Sequence, residues 1–195
     1  MLIPIAGAQA SARLHVFAYD IASPRRARRA RGILEPLQHA RQKSVFEVVA
    51  STGAGRGILA ELAAVCEPAE DSLAVWFPAP AGRLQWMGDR FIGHDGTSRA
   101  ARGGNFVVCY DIADPLRLRA VSRLCGESSL MVQRSVYWWR CDAAVLSRAL
   151  ATSRACFHEH EDRLWAYPLA NADALWRVRA GRASVLPLSA HGWGS

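Results

Sequence analysis

Two acids stand where the chain turns from strand to helix. The stretch "VFAYDIASPRRARRARGIL" places Asp20 at the end of an apolar run, and "VVCYDIADPLRLRAVSRL" places Asp111 at the same point of the same phrase. Behind Asp20 come five arginines within seven residues (Arg25, Arg26, Arg28, Arg29 and Arg31), and behind Asp111 a thinner set, Arg117, Arg119 and Arg123. An Asp just before a helix can satisfy free N–H groups at the helix start. Arginine presents a planar fork suited to phosphate, and a helix with such a face positions a duplex without reading its sequence. A solvated helix face is the plainer use of such a run, but here little acid lies nearby to neutralise it.

Other stretches are less productive. "FHEHED" at 157–162 alternates His158, His160 and Asp162, while the corresponding first-copy stretch, "CEPAED", has no histidine. An exposed acidic loop is therefore the expectation, rather than a metal centre. "STGAGRG" at 51–57 lacks the Lys-Ser/Thr ending of a phosphate loop, starts a modest helix and reads as a loop. The Trp138–Trp139 pair is expected in the core or at an interface.

The elements that must position these residues repeat. Shifted by 91 positions the sequence matches itself without a gap: "YDIASPRRAR" on "YDIADPLRLR", "QKSVF" on "QRSVY", "EDSLAVW" on "EDRLWAY". Of the 62 positions from 16 to 77, 17 are identical to their partners and cluster in these blocks. That means two copies of one unit. Each copy begins with a strand (14–20; 106–112), then a helix with Pro24 or Pro115 in its first turn and Ser23 or Asp114 as its cap. Ala27, Ala30, Ile33/Leu34 and Leu37 give the first helix an apolar stripe, matched by Leu118, Val121 and Leu124/Cys125. "RQKSVFEVVA" and "VQRSVYWWRC" read as strand, bent into a hairpin. A second helix and a last strand follow, with Ile58/Leu59, Leu62 and Val65/Cys66, or Val145/Leu146 and Ala149/Leu150, on the helix face.

The predicted architecture is α+β: tandem ferredoxin-like (βαββαβ) domains closing on each other as a fused dimer about a pseudo-two-fold axis. The expected layout is a flexible leader over 1–13, a first domain over 14–78, a linker over 79–104 holding an extra strand, and a second domain over 105–190 ending in a C-terminal strand.

Composition agrees. A chain of 195 residues accommodates two domains of about 90 each, and 51% hydrophobic residues suffice for their cores. No apolar run approaches the roughly 18 residues of a membrane span, and the opening lacks the basic region of a signal peptide. Five unpaired cysteines point to a reducing cytoplasm rather than a disulfide framework. The net charge of +7 is carried by arginine except at Lys43, the sole lysine, and indicates a nucleic-acid partner.

The ordered set — a "YDI" strand end, an arginine-rich first helix, "QKSVFE" at 42–47 and a closing "EDSLAVW", stated twice — resembles CRISPR-associated protein 2, the small partner of the CRISPR integrase. The resemblance implies a ferredoxin-like dimer serving antiviral defence. Such a dimer bridges integrase dimers in spacer acquisition, holds duplex DNA, and is in many members a metal-dependent endonuclease on RNA or DNA. It places the metal-binding aspartate at Asp20 and Asp111, with Mg²⁺ (or Mn²⁺) as cofactor. Two facing carboxylates, waters and a substrate phosphate would complete an octahedral set, and the ion would polarise the phosphate and acidify an attacking water. A helix cap would be duplicated too, so the repeat alone does not separate the two uses of these acids. The second copy departs from the pattern, with Arg134, Tyr137 and Trp138 for Lys43, Phe46 and Glu47, and Leu116 for Arg25. Three functions compete: an integrase-bridging subunit whose nuclease site is active or vestigial, a free-standing endoribonuclease of toxin type, and a non-catalytic duplex-binding scaffold.

Overall fold

Strand alternation divides each copy's apolar residues between two faces. In β1 (Arg13–Asp20), Phe17 and Tyr19 point one way, into a core with two helices, and Val16 and Ala18 point the other way. The computed structural model describes residues 12–79, 84–87, 90–92, 104–153, 156–158, 160–169, 175–179 and 182–185. The expected leader up to residue 11, and most of the linker, lie outside them.

After β1 come α1 (Pro24–Leu34), β2 (Gln38–Gln42), β3 (Val45–Ala50), α2 (Thr52–Val65) and β4 (Ser72–Trp76). The second copy repeats the series as β7 (Gly104–Asp111), α3 (Pro115–Ser128), β8 (Leu130–Gln133), β9 (Val136–Cys141), α4 (Ala143–Ser153) and β10 (Arg163–Leu169). Both sheets contain the antiparallel ferredoxin-like order, β4-β1-β3-β2 and β10-β7-β9-β8. The hairpin turn falls at Lys43–Ser44 and at Arg134–Ser135.

Two helix readings are corrected. α1 stops at Leu34 and gives way to a 3₁₀ turn over Glu35–Leu37. Pro36 supplies no N–H to continue the helix, so Leu37 is exposed. The "STGAGRG" stretch is not a loop: Ser51 caps α2, which begins at Thr52. Gly55 lies there because a Cβ would stand 2.3 Å from Nε2 of the buried His15, so only glycine lets α2 approach β1 this closely.

The remaining strands cross between the two sheets. β11 (Leu175–Arg179) pairs with β4 of the first copy, and β12 (Arg182–Val185) extends it. The segment between the copies, β5 (Leu84–Met87) and β6 (Arg90–Ile92), pairs with β10 of the second. Each sheet thus has six strands, β12-β11-β4-β1-β3-β2 and β6-β5-β10-β7-β9-β8. The strand expected to close the second domain completes the first sheet instead, because β4 would otherwise present an unpaired edge.

The second faces of the two sheets bury each other. Val16, Ala18, Val45, Ala74 and Trp76 meet Val107, Cys109, Val136, Trp138, Trp165 and Tyr167 in one apolar cluster. Each large side chain there contributes roughly 2–3 kcal/mol of burial. Trp138 enters this central core and Trp139 the helix-covered one, so both are packing residues, as expected. A buried polar pair crosses the seam: the Tyr167 hydroxyl donates to Glu47 Oε1 at 2.9 Å. None of the five cysteines is in a disulfide among the described residues. Burial pushes the Cys66 thiol up to about 11 and the Cys125 thiol up to about 12, which suits small core residues rather than nucleophiles.

A duplicated ion-pair clamp anchors each first helix. Arg26 Nε donates to Asp71 Oδ2 at 2.7 Å and Arg26 Nη2 to Glu70 Oε2 at 2.6 Å. Asp71 also accepts the Ala22 and Glu67 N–H groups at 3.0 and 2.8 Å. In the second copy Arg117 grips Asp162 and Glu161 at 2.8 and 2.7 Å, and Asp162 accepts the Ala113 and His158 N–H groups. The Asp71 and Asp162 side chains have no exposed surface. Burial alone would raise these carboxyls, but the arginine and the N–H donors outweigh it and hold both below the usual value. The exposed acidic loop expected at 157–162 is corrected on this point, since Asp162 is buried.

Asp162→Ala takes the acceptor from Arg117 Nε and from two N–H groups and is expected to cost about 2–3 kcal/mol, read by denaturant unfolding. The native carboxyls titrate below the unfolded value of about 3.9, so the clamps' contribution is complete above that pH and lost as pH falls through the lowered native values. The acid transition of Asp162→Ala should accordingly be shallower than that of the wild type. A chain ended before Leu175 loses β11 and β12, and should show a lower melting temperature and self-association through the bared β4 edge, read by gel filtration.

Candidate nucleic-acid interface

Asp20 ends β1 opposite Ser72 of β4, and Asp111 ends β7 opposite Arg163 of β10. Neither caps the helix that follows. Ser23 accepts the Arg26 N–H at 3.5 Å, and Asp114 accepts those of Leu116 and Arg117 at 2.9 and 2.8 Å. The N–H groups just before these caps, on Ala22 and Ala113, go to Asp71 and Asp162. The capping bonds seen at these helix starts are thus made by Ser23, Asp114, Asp71 and Asp162 rather than by the strand-end acids. Both acids are half-buried.

The hairpin turns border the two acids. Tyr19 N–H donates to Ser44 O and Tyr110 N–H to Ser135 O, both at 3.1 Å, so each acid lies one residue from a turn contact of its own copy. Lys43, beside Ser44, crosses the seam and places Nζ 3.5 Å from Asp111 Oδ1. Next to it, Gln42 Nε2 donates to Arg163 O at 3.2 Å, also across the seam. The face-to-face sheets therefore bring the first copy's turn to the second copy's acid.

The arginines separate into two groups. Arg26 and Arg117, both expected to touch nucleic acid, are corrected: the Nε and Nη2 of each are committed to two carboxylates, which also raise their pKa values. Arg25, Arg28, Arg29 and Arg31 stand exposed on α1, whose opposite face is held by Ala30 and Leu34. Arg119 and Arg123 stand exposed on α3 over Val121 and Cys125. None of these six is ion-paired among the described residues. Leu116 occupies the position of Arg25 and is exposed.

Three functional features escape sequence reasoning. The clamp acids Glu70, Asp71, Glu161 and Asp162 were visible as the repeated "ED", but their arginine partner lies 44–45 residues away. Lys43 was legible only as the one lysine in an arginine-rich chain. The Glu47–Tyr167 bond joins positions 120 residues apart. In the loop at 157–162, His158 and His160 have ring centres 6.1 Å apart. No set of three or more metal-type ligands occurs among the described residues.

The family model described as CRISPR associated protein Cas2 matches residues 13–78 and again 105–175. A Nitrosomonas europaea protein named CRISPR-associated endoribonuclease Cas2 1 is 32% identical over 81 residues, which span 42% of this chain and 75% of that protein. A hypothetical protein from Thermus thermophilus, solved by crystallography, matches 40% of this chain and 93% of its own at 23% identity and a TM-score of 0.37. With both copies matched in turn, the chain belongs to the CRISPR-associated Cas2 family, as two tandem units in one polypeptide.

Proposed function

We propose that this chain is a fused Cas2 dimer that holds duplex DNA and bridges integrase dimers during spacer acquisition in the cytoplasm, with Asp20 and Asp111 forming a metal-dependent phosphodiesterase site. The reading is carried by the four exposed, unpaired arginines of α1 in a chain of this family. Their guanidinium groups offer phosphate contacts along one helix face, with Arg119 and Arg123 as the weaker counterpart. No helix among the described residues is long and apolar enough to cross a membrane.

The donor chemistry of the acids fits a hard cation: carboxylate oxygens, freed from capping, at strand ends bordered by the hairpin turns. Asp20 and Asp111 would hold Mg²⁺ or Mn²⁺, which when bound polarises a phosphate and acidifies a water. This chain's own residues supply the rest. The clamps fix the helix starts relative to the strand ends, and the α1 arginines anchor the phosphates on either side of a bound strand. A second reading, an endoribonuclease acting alone, is favoured by the name of the Nitrosomonas relative.

Replacing Arg25, Arg28, Arg29 and Arg31 by Ala should weaken binding to a random duplex by tenfold or more at low salt. The slope of log affinity against log salt should become shallower by about 0.9 for each phosphate that is no longer neutralised. Wild-type binding insensitive to salt would refute the interface. Co-purification with the neighbouring integrase and a duplex at a defined stoichiometry tests the bridging role. The double variant Asp20→Ala/Asp111→Ala should retain that assembly and lose Mg²⁺-dependent cleavage. Failure to assemble with any integrase, together with intact ribonuclease activity, would select the second reading.

A further inference from the structure

The halves are built alike, yet the surroundings of their strand-end acids are not. Asp111 has a cation of its own: Lys43, whose Nζ lies 3.5 Å away. The residue matching Lys43 in the second copy is Arg134, which is exposed and has no carboxylate partner among the described residues, and Asp20 has no ion pair there either. The backbone reinforces the difference. In the first hairpin turn it is Lys43 itself that takes a positive φ, 46°, whereas in the second it is Ser135, at 61°. The two turns therefore present their basic side chains differently.

Among the neutral groups one contrast follows the same division. Gln42 spends its amide N–H on Arg163 O, beside Asp111, but the Oε1 atoms of Gln42 and of its counterpart Gln133 are both buried without a partner among the described residues and do not distinguish the copies. Ser72, the cross-strand neighbour of Asp20, has a buried Oγ without a partner, where the second copy has Arg163 opposite Asp111. β8, which carries Gln133, packs against β4, which carries Ser72. One acid is thus accompanied by an ammonium at 3.5 Å, the other by a buried serine hydroxyl without a partner among the described residues.

We propose that the two strand-end acids have divided their work: Asp20 is the carboxylate that takes the divalent cation, and Asp111 is a positioning residue held by Lys43, which occupies the place of the cation's charge. This rests on the metal-binding reading above and goes beyond it, since that reading treats the acids as equals. An ammonium beside a carboxylate satisfies its charge and repels an arriving dication, so a carboxylate with such a companion is the poorer ligand. A buried hydroxyl without a partner across from Asp20 is a group that the water shell of a hydrated Mg²⁺ or Mn²⁺ would satisfy.

Mn²⁺ binding to the full chain, measured by the loss of the free-ion EPR signal and by calorimetry, tests the division without reference to cleavage. Asp20→Asn is expected to weaken binding by tenfold or more and Asp111→Asn by less than threefold. Lys43→Gln, in an exposed turn, is expected to tighten binding by about threefold, the scale of one exposed charge interaction. Thermal unfolding of each variant checks that it is folded. Equal weakening by both Asp variants with no effect of Lys43→Gln would overturn the division while leaving the metal-binding reading in place. Absence of Mn²⁺ binding by the wild-type chain would overturn both.

Discussion

An antiparallel sheet covered by helices on one face must bury its other face somewhere, and here each sheet does so against its own duplicate. Val16, Ala18 and Trp76 on one side and Val107, Trp138, Trp165 and Tyr167 on the other form a single apolar cluster. Much else follows from that seam. It brings the first copy's hairpin turn to the second copy's Asp111. It leaves both first helices on the outside, where α1 presents its arginines to solvent. The exchanged strands tie the seam further, since β11 closes the first sheet and β5 the second. The halves are separate repeats in sequence and interdependent bodies in space.

The duplicated clamp explains how a chain so rich in arginine keeps its strand-end acids out of structural service. Arg26 and Arg117 bind carboxylates with no exposed surface, and those carboxylates in turn take the N–H groups ahead of each helix. Ser23 and Asp114 serve as the caps, and among the described residues no capping bond of either helix involves Asp20 or Asp111. The same division sorts the cations. Those with buried acid partners hold the fold, and those without remain exposed on the surface.

Fusion removes the constraint that a homodimer's two faces be identical. Glu47 meets Tyr167 across the seam, whereas at the matching positions the two copies have Trp138 and Trp76. Leu116 replaces Arg25, and Lys43 stands against Asp111 while Arg134 has no such partner among the described residues. One pair is hydrogen-bonded, while the other is two indoles whose buried N–H groups have no partner among the described residues, so Glu47 has its tyrosine donor only against the second copy. The interface therefore specifies one half against the other.

Local patterning was enough to read the repeat, the α+β plan, the helix caps at Ser23 and Asp114, and the burial of Ala30, Leu34, Val121 and Cys125, because alternation and helical spacing are properties of neighbouring residues. The exposed arginine face of α1 was legible for the same reason. Which arginines are free was not, since the partners of Arg26 and Arg117 lie 44–45 residues on, and nothing local separates them from Arg25 or Arg119. Nor could the strand after the second copy be placed. Its pattern states that it is a strand but not whose edge it covers, and only the closed pair of sheets decides that β11 lies beside β4. The same holds for the lone lysine: its partner, Asp111, belongs to the other copy and is set by how the sheets face each other. Elements are written in short-range order, and pairings across a seam are settled by the packing that creates it.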